Sequence, residues 1–165
     1  MGIIIRKALP EDADDYTSCF ISSWQSAYKG IVPEDYLNDM PKNKELSEKN
    51  KKFLTDPGGC ECFCVIHGDK MIGFLTINKA DSVNFWAVYL IEAFWGKGYG
   101  KIVLDFAINE LKRAGQKSVS LWVFEENNRA RRFYEKHGFS LDGTKRVIDR
   151  YGGVPLVQLK YALDL

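Results

Sequence analysis

The chain has no excess charge, no long apolar run and almost no histidine, and each shortage removes a class of function. Lys and Arg number 23 against 22 Asp and Glu, a net charge of +1, so no nucleic-acid or acidic-membrane partner is expected. The most apolar stretch, Phe85 to Phe94, is too short to span a bilayer and contains Glu92. The opening Met-Gly-Ile-Ile-Ile-Arg-Lys lacks the core and cleavage site of a signal peptide, and a cytoplasmic location is expected. The two histidines, His67 and His137, stand at no zinc-like spacing from Cys19, Cys60, Cys62 or Cys64, so no metal is expected. In Cys60-Glu-Cys-Phe-Cys64 the thiols alternate, which on a strand places them on one face as small apolar core residues. His67 falls at a hairpin turn and is expected at the surface, and His137 reads as a helix-end cation.

What is present fits one domain over residues 1–165, with 45% apolar and 27% charged residues. No repeat, low-complexity segment or linker divides it. Ile3 to Lys7 reads as a strand, and Pro10-Glu-Asp-Ala opens a helix to about Tyr28 with an aromatic stripe of Tyr16, Phe20 and Trp24. A short helix start at Pro33 to Leu37 and a polar helical stretch near 42–54 follow. Cys60 to His67 and Met71 to Lys79 form a hairpin, and Asp81-Ser82 turns into a third strand from Val83 to Ile91. A helix near 98–114, a strand from Ser118 to Phe124, a helix from Asn127 or Asn128 to His137, and two final strands complete the chain. The expected class is α+β, a mixed, mostly antiparallel sheet flanked by helices, in the order β-α-α-β-β-β-α-β-α-β-β. The helix at 98–114 is a crossover, which makes the strands on either side of it parallel.

The turn between that third strand and its helix, Trp95-Gly-Lys-Gly-Tyr-Gly-Lys101, carries the first functional signal. Gly96, Gly98 and Gly100 strip side chains from a helix N-terminus, and backbone N–H groups with a helix dipole suit a phosphate or diphosphate. Lys97 and Lys101 add charge. The spacing fits neither a P-loop, since Ile102 stands where Ser or Thr should be, nor the G-x-G-x-x-G of a dinucleotide fold. The second signal is Asn127-Asn-Arg-Ala130-Arg-Arg-Phe-Tyr134-Glu-Lys-His-Gly138-Phe139.

Both motifs, and the order of elements along essentially the whole chain, resemble the Gcn5-related N-acetyltransferase (GNAT) superfamily. The first matches its [QR]-x-x-G-x-[GA] acetyl-CoA turn except at Trp95, and the second matches N-x-x-A-x-x-x-Y-x-x-x-G-F at every marker. The resemblance implies an acetyl-CoA-dependent N-acetyltransferase, with acetyl-CoA as co-substrate and direct attack by an amine. It implies that Val88, Tyr89 and Leu90 pair their backbone with the pantetheine arm, and that Gly96, Lys97, Gly98, Tyr99, Gly100 and Lys101 hold the diphosphate. Asn127 would bond the pantetheine region, the Leu90 N–H would face the oxyanion, and Tyr134 would protonate the leaving thiolate.

The chain departs from the family where some members carry a Glu as general base, because Trp122 holds that position; Glu92, Asp81 and Glu125 are other candidates and none is assigned. The acceptor is expected to be the amine of a small metabolite or a peptide. Trp24 and Tyr28, with Tyr36, would face it from one side, and Arg146, Arg150 and Tyr151 from the other; such a wall suits an amine carrying a carboxylate or phosphate. A catalytically inactive acyl-CoA-binding sensor is the alternative reading, and self-association into a homodimer is left open.

Overall fold

The computed structural model describes residues 2–78 and 84–165, and of residues 84–87 the backbone alone. The expected turn at Asp81-Ser82 and strand start at Val83 lie outside the described residues. The strands are β1 (Ile3–Lys7), β2 (Cys60–His67), β3 (Lys70–Asn78), β4 (Asn84–Leu90), β5 (Ser118–Phe124), β6 (Ser140–Ile148) and β7 (Leu156–Asp164). The helices are α1 (Ala13–Ala27), α2 (Glu34–Asp39), α3 (Leu46–Thr55), α4 (Tyr99–Arg113) and α5 (Asn128–Lys136). Three helices, not the two of the expected order, therefore stand between β1 and β2. The additional one is α2, a six-residue helix that Pro33 starts and that buries Leu37. The polar stretch becomes α3 only from Leu46, because a 3-10 turn at Met40–Lys42 precedes it.

All seven strands form one sheet in the order β1-β2-β3-β4-β5-β7-β6. Every neighbouring pair is antiparallel except β4 and β5, as the crossover through α4 requires. Strand alternation sends side chains to two different cores. On one face the helical stripe Val103, Leu104, Ala107 and Leu111 packs on Phe63, Val65, Leu75, Val119 and Leu121. On the other, Tyr16 and Cys19 of α1 and Leu54 of α3 pack on Cys62, Cys64 and Phe74. The alternating cysteines are buried, and burial pushes the thiols of Cys62 and Cys64 up to about 11 and about 12. They remain protonated at neutral pH and serve as packing. Among the described residues no helix is long and apolar enough to cross a membrane.

His67 departs from expectation. It is half-buried rather than exposed, because its ring lies 5.2 Å from that of Phe94 and 5.7 Å from that of Tyr99.

The parallel pair is the exception that shapes the molecule. Among the described residues its ladder holds only Asn84↔Ser120 and Phe85↔Leu121. Beyond that point β4 stays with β3 as far as Gly73↔Leu90, while β5 stays with β7 as far as Phe124↔Gln158. The two strands part because each is held by its other neighbour.

Gly73 fixes the course of β4 at this parting. A Cβ there would lie 2.4 Å from the Tyr89 carbonyl oxygen and 2.5 Å from Leu90 Cδ2. The side chain could yield, but the backbone oxygen sits within the ladder. Gly73→Ala is expected to cost about 1–3 kcal/mol as an overpacking change, read as a lower urea midpoint with an unchanged m-value. A wild-type midpoint would show that β4 shifts freely.

Candidate active site

Where β4 and β5 separate, a cavity of about 650 Å³ opens, within the range of small-molecule sites. Backbone alternation decides what β4 presents to it. The Ile91 N–H donates to the Ile72 carbonyl at 2.9 Å, so in this antiparallel pair Ile91 and Tyr89 turn their backbone groups toward β3. Val88 and Leu90 then turn theirs toward the gap. Of the three residues expected to offer backbone to a ligand, Val88 and Leu90 turn it toward the gap, while Tyr89 turns its backbone to β3 and lines the cavity. The Leu90 carbonyl is already engaged, since the Trp95 indole N–H donates to it at 2.7 Å.

The glycine turn closes one end of the cavity. Gly96 and Gly98 have φ values of 70° and 82°, a backbone that side-chain-bearing residues adopt only at a cost. Gly98 is the N-cap of α4, and no turn or cap hydrogen bond among the described residues engages the N–H groups of Gly96, Lys97 or Gly98. Gly96, Gly98, Gly100 and Lys101 line the cavity. Lys97 and Tyr99 do not: the Lys97 ammonium lies 5.1 Å from the Phe94 ring centre, and the Tyr99 ring packs on Phe94 and His67. Lys101 shares its charge with Asp105 at 2.5 Å.

Helix α5 forms the opposite wall. Asn127 is its N-cap, with Oδ1 accepting from the Ala130 N–H at 3.1 Å. Asn127 lines the cavity, and its Nδ2 amide finds no partner among the described residues. Two turns on, Tyr134 lines the cavity between the rings of Phe133 and Phe139, and among the described residues its hydroxyl has no hydrogen-bond partner. His137 ends the helix with Nδ1 2.7 Å from the Phe133 carbonyl oxygen, and it lines the cavity.

The α1 side supplies aromatic groups. Tyr28 lines the cavity, and its hydroxyl meets that of Tyr89 at 2.5 Å. Trp24, expected to face the acceptor, does not line the cavity. It is a buried wall, 4.9 Å from the rings of Tyr28 and Tyr151 and 6.4 Å from that of Tyr89. The Tyr36 ring packs on Tyr151 at 5.7 Å, and the Arg150 guanidinium lies 5.1 Å from the Tyr151 ring centre. Arg146 stacks over Trp122 at 4.1 Å and donates to Gln158. Among the base candidates, Glu125 is paired with Lys145 at 3.0 Å, Glu92 is exposed, and Asp81 lies outside the described residues.

Two site features were not anticipated. Arg129 stacks 3.4 Å over the Trp95 ring, and Lys136 lines the cavity beside α5. The stack joins residues 34 positions apart. No local pattern marks it; only the parallel order of β4 and β5 brings the two elements together.

With this geometry in place, the comparisons are specific. The model of the Acetyltransferase (GNAT) family matches residues 15–139. The chain is 29% identical over 151 residues to a spermidine N(1)-acetyltransferase of Thermoplasma acidophilum, covering 87% of this chain and 92% of that protein. In fold it is similar to the PaiA N-acetyltransferase of Thermoplasma acidophilum in complex with coenzyme A, with TM-score 0.78, 24% identity and full coverage of both chains. A GCN5-related N-acetyltransferase from Rhodopseudomonas palustris superposes with TM-score 0.81 at 16% identity, covering 100% of this chain and 97% of that one.

The cavity's phenols are weak acids. Burial pushes Tyr28 up to about 12 and raises Tyr89 and Tyr134 above the ordinary tyrosine value of 10.0. The unfolded chain loses these protons near pH 10, while the native state keeps them until its own higher values. Stability from this source is therefore complete below pH ~10 and is lost as pH rises toward and past ~12. A melting temperature that falls across that window is the expected result. In an absorbance titration, Tyr28→Phe should leave the tyrosinate signal below pH ~11 unchanged; a signal smaller by one tyrosine would show that Tyr28 ionises normally.

Proposed function

The chain belongs to the acetyltransferase (GNAT) family, and from that premise we propose that it transfers the acetyl group of acetyl-CoA to a primary amine of a small molecule or peptide, in the cytoplasm. One observation carries the reading. The strand edge at Val88 and Leu90, the N–H-lined turn at Gly96 to Gly100, the Asn127 amide and the Tyr134 hydroxyl all converge on one cavity. Its contents match the donor group by group. Val88 and Leu90 offer a strand edge to the amides of the pantetheine arm. The turn and the α4 N-terminus receive the diphosphate, with Lys101 lining it and Lys97 beside it.

Acetyl-CoA supplies an activated thioester carbonyl; the rest is positioning by the chain. The Leu90 N–H faces the gap and stabilises negative charge on the attacked carbonyl oxygen. Tyr134 is neutral at working pH, since its environment raises its pKa. Its free hydroxyl gives a proton to the departing sulfur. The amine arrives from the α1 side, where Tyr28 and Tyr89 present their joined hydroxyls. Among the described residues no carboxylate lines the cavity. The amine's own proton therefore leaves through water, and the rate is expected to rise with pH as the free amine becomes abundant.

Thiol release from acetyl-CoA in the presence of an amine panel tests the proposal. Coenzyme A binding without turnover on any amine would favour the sensor reading. Within a turning-over enzyme, Tyr134→Phe should lower kcat by about 10²–10⁴-fold while the dissociation constant for coenzyme A, measured by calorimetry, stays the same. An unchanged kcat removes Tyr134 from the acid role.

A further inference from the structure

The cavity lining turns basic where α4 meets α5. Among the described residues Lys101, Arg129, Lys136 and His137 line it, and no Asp or Glu does. Gly100 brings the two helices together, since a Cβ there would lie 3.2 Å from Phe133 Cε2. The His137 ring lies 4.5 Å from that of Phe133 and is held by Nδ1 on the Phe133 carbonyl oxygen. Lys101 follows Gly100 and Lys136 precedes His137, so the two lysines line the cavity on either side of this aromatic pair. Their charges are differently committed. Lys101 is shared with Asp105 and Arg129 lies on the Trp95 ring, whereas among the described residues Lys136 has no ion pair. Its neighbour Glu135 accepts from the Tyr161 hydroxyl instead and does not line the cavity.

We infer that Lys136, with Lys101 opposite it, receives the 3′-phosphate on the nucleotide of coenzyme A. The inference rests on the acetyl-transfer reading and deepens it. The order of the lining carries it. β4 offers its edge to the pantetheine arm, the turn at Gly96 to Gly98 offers N–H groups to the diphosphate, and α4 then leads on to Gly100 and Lys101. The donor runs in the same order, from pantetheine to diphosphate to a ribose that bears a phosphate monoester. That group holds about two negative charges near neutral pH, more than one lysine already shared with Asp105 can answer. Lys136 supplies the further charge, as a mobile point cation suited to a phosphate. The 3′-phosphate takes no part in the acyl transfer, so its recognition selects the donor. A thioester on a carrier protein's phosphopantetheine arm lacks this group and is a poor substrate.

The test measures dissociation constants for coenzyme A and for dephospho-coenzyme A by calorimetry, using the full chain. The wild type should bind coenzyme A about fivefold to fiftyfold more tightly, the worth of one or two partly exposed charge-assisted contacts. Lys136→Ala should remove most of that preference, Lys136→Arg should keep it, and Lys136→Glu should abolish it. Affinity for dephospho-coenzyme A should stay within about twofold in all three, a selectivity that a merely structural lysine would not produce. Salt at ~0.5 M should shrink the wild-type preference as well. Lys136 is exposed at the end of α5, and Lys136→Gln takes the place of any variant that melts early.

Equal affinity of the wild type for the two ligands overturns the inference and leaves acetyl transfer standing. A preference that survives in Lys136→Glu overturns it too, and assigns the phosphate to Lys101 or Arg129. Wild-type protein that binds neither ligand overturns the acetyl-CoA reading itself, and is seen before any variant is made.

Discussion

A parallel strand pair that stops pairing beyond Phe85 and Leu121 leaves an open sheet edge in the middle of a protein. The ladder between β4 and β5 ends at Phe85↔Leu121, since β3 and β7 hold the two strands on diverging courses. Backbone polar groups left in such a gap need partners, because an unpaired N–H or C=O away from water costs as much as a lost hydrogen bond. Val88 and Leu90 face the gap in this state, and the Trp95 indole covers only the Leu90 carbonyl. The remaining groups are supplied by whatever enters. An extended chain of amides is the natural occupant, since it pairs as an added strand would.

The other parts of the site inherit their positions from that parting. Helix α4 must begin just beyond the end of β4, so its N-terminus and glycine turn stand at one mouth of the gap. Helix α5 must begin just beyond β5, so Asn127 and Tyr134 stand on the facing wall. Gly73 keeps β4 close to β3 where it matters, and a larger residue would push the Tyr89 carbonyl and with it the Leu90 N–H. The chemistry asks for little more than this placement. A neutral phenol whose hydroxyl has no partner among the described residues, and a backbone N–H aimed into the same space, are both consequences of strand and helix direction.

Much of this was legible in the residues. Gly96, Gly98 and Gly100 before an apolar stripe announce a turn into a helix, and Asn127 to Phe139 has markers at fixed intervals along one helix. Both motifs are local, so periodicity and spacing reach them. The aromatic wall was less legible. Trp24 lies in the last turn of α1 and Tyr28 caps its end, yet Tyr28 lines the cavity and Trp24 is buried behind it. Their depth depends on how α1 lies across β3 and β4, which spacing along α1 does not report. His67 was misplaced for the same reason: its turn is exposed in sequence terms, but Phe94 and Tyr99 arrive from a distant element to cover it. The Arg129–Trp95 stack is the extreme case, invisible until the sheet order is known.

Trp95 then reads differently from a lost polar contact. At the position where related turns carry Gln or Arg, the indole does two things at once. Its N–H caps the one cleft-facing carbonyl of Leu90, and its face carries Arg129 from the opposite wall. A flat, weakly hydrated guanidinium is the cation best suited to such a platform. Positive charge thus also enters the cleft on α5, stacked on the residue that precedes the glycine turn. The departure from the family pattern thus joins the two walls of the cleft.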